Sequence, residues 1–434
     1  MTARTLHPVS ADFLIVNSGC VLTCAGPAPR RGPDQAEVGA VVDALVASRD
    51  GRIVFVGPAA EGLGTVEHTP DAVVLDAAGG TVVPGFVDPH THLVYGGDRR
   101  EELRRRLAGA TYSEIAAAGG GILSTVRATR EATEDQLVRS GESRLAEMLR
   151  CGTTTAEVKS GYGLDTATEL KMLRAIRQLA SRQPVDLVAT FLGAHEIPRE
   201  YRDRRAAYVE LLTREMIPAV ARGGLAEWCD VFCEAGVFTP EESRTILMAG
   251  AGVGLRPRIH ADELMASGGS EVAADVGARS ADHLIFVQGE SADRMARAGV
   301  VATLLPAAAF YLKIGRFAPA RMLIGRGVPV ALATDLNPGG GFTPSMPFVV
   351  TLACFAMAMT LEEALVAATI NAAYALGRDG EVGSLEAGKL MDAVVVDGEA
   401  VDLIRVGAPA IRAVVKRGRV VSTWGPSGGR RRPQ

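Results

Sequence analysis

His90 and His92 stand two residues apart at the end of the apolar run in PGFVDPHTHLVYGGDRR. Side chains alternate faces along a strand, so two histidines at this spacing point the same way and can bite one metal ion. Three features follow in chain order: His260 and Glu263 in RIHADE, a lone His283 in SADHL, and Asp335 in ALATDLNPG. His90, His92, His260 and Asp335 together offer three imidazole nitrogens and a carboxylate oxygen. That donor set suits zinc or iron, whereas calcium and magnesium want more oxygen. Such a metal, with one position left for water, brings the pKa of that water to about 7 and polarises a carbonyl oxygen. The chemistry is therefore hydrolytic attack on a carbonyl or amidine carbon. Glu263, His283 and Asp335 are the candidate proton carriers, Asp335 serving as ligand and acceptor in turn.

A second set fits an anion. Arg99 follows the histidine pair and can clamp a carboxylate through two parallel hydrogen bonds. Tyr112 lies in the helix-like stretch beyond it. Taken alone, DRREELRRR reads as a solvated charge run. The triple glycine Gly119–Gly121 before ILSTVRATRE lacks the Lys and Ser/Thr of a phosphate-binding loop. It reads better as the hinge of a mobile lid.

Elements must position these groups. Candidate strands are VVPGFVDPHTH, TTAEVKSG, DLVATFLGAHEI, EWCDVFCEAG, RPRIHADE, SADHLIF, VVATLLPAA and PVALATDL. Helical patterns such as EDQLVRSGESRLAEMLRCG and ATELKMLRAIRQLASRQ separate most of them. Eight such units predict a (β/α)₈ TIM-type barrel within an α/β class. An open doubly wound sheet is the runner-up, weakened because no G-x-G-x-x-G follows the first strand. Catalytic residues of a barrel come from the C-terminal strand ends. Five of the seven histidines fall on such ends. Residues 1–78 and 379–434 read as short β-strands with turns, and predict a small composite β-sandwich domain built from both termini. Residues 79–378 carry the barrel.

Composition narrows the classes further. The 434 residues are 47% hydrophobic with a net charge of −4, which gives no footprint for nucleic acid or a membrane surface. The basic tail GGRRRPQ reads as a solvated end. Six cysteines are scattered without a disulfide framework or a second metal-knuckle pair, which fits free thiols in a reducing cytoplasm. The N-terminus carries no apolar signal region, and the longest apolar run is too short to span a bilayer.

At this point the chain resembles the amidohydrolase superfamily, and within it the imidazolonepropionases of histidine degradation. The matching stretches are DPHTHLVYGGDR, GGGILSTVRATREA, EVKSGYGL, TFLGAHEIP, DVFCEAGVF, HADE, ADHL, and ATDLNPG with TINAAYALG downstream. They run over nearly the whole chain. The resemblance implies hydrolysis of 4-imidazolone-5-propanoate to N-formimidoyl-L-glutamate. It implies one Zn2+ or Fe3+ per subunit on His90, His92, His260 and Asp335. It also implies substrate contacts from Arg99, Tyr112, Tyr162 and His195, product contacts at Asn337 and Gly339, acid/base duty for Glu263 and His283, and a homodimer. One departure stands out: after DLNPG the family usually carries Ser or Thr, and here Gly340 and Gly341 follow. The hydroxyl contact at 340 is lost, leaving its backbone N–H. Lys159 tempts a two-metal reading, since some superfamily members bridge two ions with a modified lysine. The nearby Glu263 and the family match favour one metal, with Lys159 structural or a substrate-side charge. Two rival readings remain: a one-metal nucleobase deaminase of the same superfamily, and a barrel that has lost catalysis and binds a partner.

Overall fold

Gly85 marks the turn from one sheet to another. A Cβ there would crowd Thr154, with that residue's Cγ2 only 2.6 Å away. The expected first strand therefore divides: Thr81–Pro84 (β5) pairs within a terminal sheet, and Phe86–Asp88 (β6) starts the barrel. The computed structural model describes residues 9–110, 114, 120–406 and 410–423.

From β6 the parallel sheet continues through Thr153–Lys159 (β7), Asp186–Ala194 (β8), Trp228–Cys233 (β9), Ile259–Ala261 (β11), Ser280–His283 (β12), Val301–Leu304 (β13) and Val330–Leu332 (β14). A two-residue strand, Arg256–Pro257 (β10), adds to β9. Every ladder in this sheet is parallel, which requires the intervening helices as crossovers. The first and last strands meet beyond their ends. His92 N donates to Leu336 O at 2.9 Å and Asp335 N to His90 O at 3.1 Å. Closure thus falls at the residues the sequence marks as metal ligands.

The helices follow from capping and periodicity. Thr133 caps Glu134–Arg150 in a reciprocal capping box with Gln136. That helix buries Leu137, Val138, Gly141, Leu145, Met148 and Leu149, an apolar stripe at three- and four-residue spacing. Gly141 permits close approach to the next helix, Thr166–Ala180, because a Cβ would lie 2.5 Å from Leu179 Cδ1.

The chain ends build a second, mixed sheet. Its order is Arg419–Thr423 (β17), Ile411–Lys416 (β16), Ala393–Val396 (β15), β5, Val9–Leu22 (β1), Ala40–Arg49 (β2) and Arg52–Pro58 (β3), with Val66–Asp76 (β4) also on β1. Ile53 of β3 shares one core with Ala413 and Val415 of β16, at the other end of that order. The sheet therefore folds over on itself. It is tied to the barrel by Lys416, whose Nζ donates to Asp186 at 2.7 Å and to Asp392 at 2.6 Å. The buried Gln35 amide pairs with both the N–H and C=O of Val330. Among the described residues, no helix is long and apolar enough to cross a membrane.

Candidate active site

The end of the first barrel strand is pinned from three sides. Thr334 donates to Asp88 through its backbone N at 3.1 Å and its hydroxyl at 2.5 Å. Arg258 Nη2 donates to Pro89 O at 2.7 Å, and Thr91 N donates to Glu157 Oε2 at 3.1 Å. His90 and His92 are thereby held with their Nε2 atoms 3.3 Å apart. His260 Nε2 lies 3.3 Å from His92 Nε2. Asp335 Oδ1 lies 3.7 Å from His90 Nε2 and 3.5 Å from His92 Nε2.

These spacings test the fit to a metal. A tetrahedral ion with bonds of about 2.0–2.1 Å holds its ligands roughly 3.3–3.4 Å apart. The donor chemistry agrees. His90 Nδ1 is hydrogen-bonded to Asp282 Oδ2 at 2.7 Å, and His260 Nδ1 to Asp230 Oδ1 at 3.1 Å. A carboxylate at Nδ1 fixes the proton there and leaves the Nε2 lone pair for a cation. Burial, with the Lys159 cation next, holds His90 well below the ordinary imidazole range; burial does the same for His92. Both therefore favour the neutral form, the one that metal binding requires. Asp335 Oδ1 and His92 Nδ1 are buried without a hydrogen-bond partner among the described residues. Burial pushes the Asp335 carboxyl up to about 7, a preference that a cation beside it would reverse.

Two more histidines join the cluster. The side chains of three overlapping trios approach closely enough to share an ion: His90–His260–His283, His92–His195–His260, and His90–His92–Asp335. His195 stacks on His92 with ring centroids 4.8 Å apart, and its Nδ1 meets Gly161 O at 3.0 Å. Burial takes its pKa to about 3. Among the described residues, both ring nitrogens of His283 are free of hydrogen bonds, with Nδ1 3.5 Å from Glu263 Oε1. Burial, then the neighbouring Asp335 and Glu234, pushes Glu263 well above the ordinary carboxylate range. His283 and Asp335 adopt φ of 77° and 52°, conformations rare for residues with a Cβ and concentrated at functional sites.

Of the anion-binding candidates, Tyr162 and Asn337 touch this cluster, and Arg99 shares with Asn337 a cleft that none of the five histidines lines. Arg99 and Asn337 line a cleft of about 790 Å3 that also meets Tyr95, Arg144 and Phe342. Tyr162 is buried, its ring 5.8 Å from that of His92 and 5.3 Å from that of His195. A Cβ at Gly339 would overlap Arg99 Nη1, so the loop comes close only because that residue is glycine. Asn337 Oδ1 accepts from Gly339 N at 2.8 Å and Gly340 N at 2.7 Å, and its Nδ2 donates to Asp335 O at 2.8 Å. The Gly340 N–H is thus engaged within its own loop. Tyr112 and Gly119 lie outside the described residues.

Behind the histidine cluster stands a charged layer that sequence reading largely missed. Lys159 Nζ donates to Glu157 Oε1 at 2.7 Å and Asp230 Oδ2 at 2.8 Å. Arg258 Nη2 lies 3.2 Å from Asp282 Oδ2. All five of these side chains are fully buried. Burial alone would lower the Lys159 pKa, but Asp230 and Glu157 outweigh it and the net shift is upward. Lys159 is consequently a cation that holds the carboxylate behind His260. The available signal was a charged residue inside an apolar strand, as in AEVK, CDVF and PRIH. Glu234 and Asp262 serve loop geometry instead: Glu234 accepts from Leu264 N, and Asp262 from Ser267 N and Gly268 N.

Comparison with known proteins adds independent findings. The sequence profile of the amidohydrolase family matches residues 81–425. An imidazolonepropionase of Symbiobacterium thermophilum is 52% identical over 419 residues, covering 96% of this chain and 98% of that protein. One from Alkaliphilus metalliredigens is 48% identical, covering 94% and 98%. Among solved structures, E. coli guanine deaminase has a TM-score of 0.71 at 18% identity, covering 95% of this chain and 99% of that one. An atrazine chlorohydrolase from Arthrobacter aurescens complexed with zinc has a TM-score of 0.68 at 18% identity, covering 94% and 95%. Likeness at that identity speaks for the fold alone. The chain belongs to the amidohydrolase family and, within it, groups with the imidazolonepropionases.

Proposed function

We propose that this chain opens the ring of 4-imidazolone-5-propanoate to give N-formimidoyl-L-glutamate, with one zinc or iron ion per subunit. The observation that carries the reading is the approach of His90, His260 and Asp335 to His92 Nε2, at 3.3, 3.3 and 3.5 Å, in a chain 52% identical to an imidazolonepropionase. His90, His92, His260 and Asp335 would hold the ion. Bound there, zinc or iron supplies Lewis acidity, making water a nucleophile near neutral pH and polarising a carbonyl.

The side chains do the rest. Arg99 receives the propanoate carboxylate from the cleft, and Tyr162 and His195 flank the ring. Water's oxygen adds to the ring carbonyl carbon, the C–N bond of the cyclic amide breaks, and water's proton ends on the departing nitrogen. Asp335 takes that proton in this reading, which the lack of a hydrogen-bond partner at its Oδ1 among the described residues supports. Glu263, whose burial favours its protonated form, gives its proton to the leaving nitrogen and is reprotonated by the one Asp335 took. His283 sits beside Glu263 and orients it or the developing oxyanion. The product's contacts fall to the Asn337–Gly340 loop.

The same reading takes the protein to be a cytoplasmic homodimer, acting on a small carboxylate-bearing molecule rather than on nucleic acid or a membrane. Six cysteines without a disulfide support that compartment. Sedimentation equilibrium checks the dimer. Turnover of imidazolone propanoate, measured beside a panel of aminopurines and aminopyrimidines, tests the function. Faster ammonia release from a base would replace this reading with the deaminase one.

A further inference from the structure

Arg99 does not stand alone in the cleft. Its Nε and Nη2 both meet Glu102 Oε2, at 2.8 and 2.7 Å. The other oxygen of the same carboxylate accepts from Gly121 N at 2.9 Å and from the Ser124 hydroxyl at 3.3 Å. Glu102 is buried, and both Arg99 and Glu102 side chains are about nine-tenths shielded. Glu102 thus grips one edge of the guanidinium while being anchored to the helix Ile122–Glu131. The opposite side, at Nη1, backs onto Gly339. Among the described residues, Nη1 has no hydrogen-bond partner. It faces the loop whose Asn337 shares the cleft.

We propose that Glu102 is a positioning residue for substrate recognition: it presets the Arg99 fork, and so selects for substrates that carry a carboxylate arm. Glu102 touches no substrate in this scheme. A long arginine side chain normally loses rotamer freedom when it binds an anion, and that loss subtracts from affinity. Here the loss is taken in folding, because the Nε–Nη2 edge is already committed while Arg99 lines the cleft. The opposing effect is charge: Glu102 is an anion close to where another anion must bind. It holds the Nε–Nη2 edge and leaves Nη1 as the uncommitted donor on the cleft side, so orientation prevails over repulsion. The inference rests on the reading of Arg99 as the carboxylate anchor.

The experiment compares two substrates in four proteins. The substrates are 4-imidazolone-5-propanoate and its propanamide analogue, in which the carboxylate is replaced by a neutral amide. The proteins are wild type, Glu102→Gln, Arg99→Ala and the double variant. Glu102→Gln should raise KM for the carboxylate substrate about three- to tenfold, the range set by freeing one rotamer-rich side chain. It should leave kcat within about twofold and KM for the amide unchanged. In the Arg99→Ala background it should have no further effect, since it acts only through Arg99. A purely structural role would move both substrates equally and persist in the double variant. Either that result or a lower KM for the carboxylate substrate would overturn the proposal. Should Glu102→Gln not fold, Glu102→Asp replaces it. That variant keeps the charge but is too short to reach Arg99 and Gly121 together, and the same KM selectivity is expected. Wild-type protein that leaves both substrates unchanged would sink the proposed function and this inference with it. Active wild type with an indifferent Glu102 would sink the inference alone.

Discussion

Gly341→Ala is the perturbation whose effect the geometry sets most sharply. A Cβ at that position would overlap the Asp335 carbonyl oxygen and lie 2.6 Å from its carbonyl carbon. Carbon atoms in contact prefer about 3.5–4.0 Å, so one backbone must retreat by roughly 1 Å. Neither has room. Asp335 N is bonded to His90 O, and Asn337 N to Gly341 O at 2.9 Å. Metal–ligand distances tolerate only about ±0.2 Å, so a displacement several times larger removes Asp335 from the coordination set. Loss of a mere supporting hydrogen bond costs about 10–100-fold in metal affinity, and loss of a direct ligand should cost at least the upper figure. The neighbouring position provides the control. A Cβ at Gly340 would meet only Leu312 side-chain atoms at 3.1–3.2 Å, which can shift by tenths of an ångström. Gly340→Ser, which adds a hydroxyl at that position, should bind metal within about threefold of wild type. Competition against a chromophoric chelator reads all three proteins. Wild-type metal affinity in Gly341→Ala would refute the reasoning.

Other outcomes follow from the supporting groups. Asp230→Asn removes the charge that fixes His260 Nδ1 and pairs with Lys159. It should weaken metal binding about 10–100-fold in the chelator assay. Lys171 Nζ donates to the carbonyls of Thr129, Arg130 and Ala132 at the end of a helix. Lys171→Met should destabilise the protein by about 1.5–3 kcal/mol, seen as a lower denaturation midpoint with metal content unchanged. Glu169 accepts from Gly161 N, Gly163 N and Leu164 N, yet burial raises its pKa above the ordinary carboxylate value. A folded pKa above the unfolded one means its contribution is fully present below the unfolded pKa and is lost as pH rises through the folded one. The Tm advantage of wild type over Glu169→Gln should accordingly be largest at acid pH and shrink on the way to neutrality. An advantage that grows with pH would contradict that sign.

The gathering of five histidines at one barrel mouth was legible because each ends an apolar strand, where an ionisable residue has no packing reason to be. The supporting layer was harder to read. Asp230 and Glu157 look like ordinary polar alternates in a strand until closure turns that face into an enclosed interior. Asp282 and His283 defeat the alternation rule outright: neighbours in sequence, they reach the same cluster. Asp282 meets His90 Nδ1, and the His283 ring lies 5.4 Å from that of His90. The positive φ at His283 makes this possible, and residue type did not announce it. The split of the first strand at Gly85 was invisible for a related reason. Both halves are apolar, and only a close approach to Thr154 distinguishes the joint. From sequence, Lys159 reads as structural or as a substrate-side charge. Glu157 shares its strand and face, but Asp230 on β9 reaches it only through the sheet order.

Anomalous diffraction at the zinc and iron edges, on crystals of the protein purified without chelator, addresses the metal centre directly. One peak is expected at about 2.0–2.2 Å from the Nε2 atoms of His90, His92 and His260 and from an Asp335 oxygen. A map with no peak among those four groups, or with an ion held by other residues, would contradict the account.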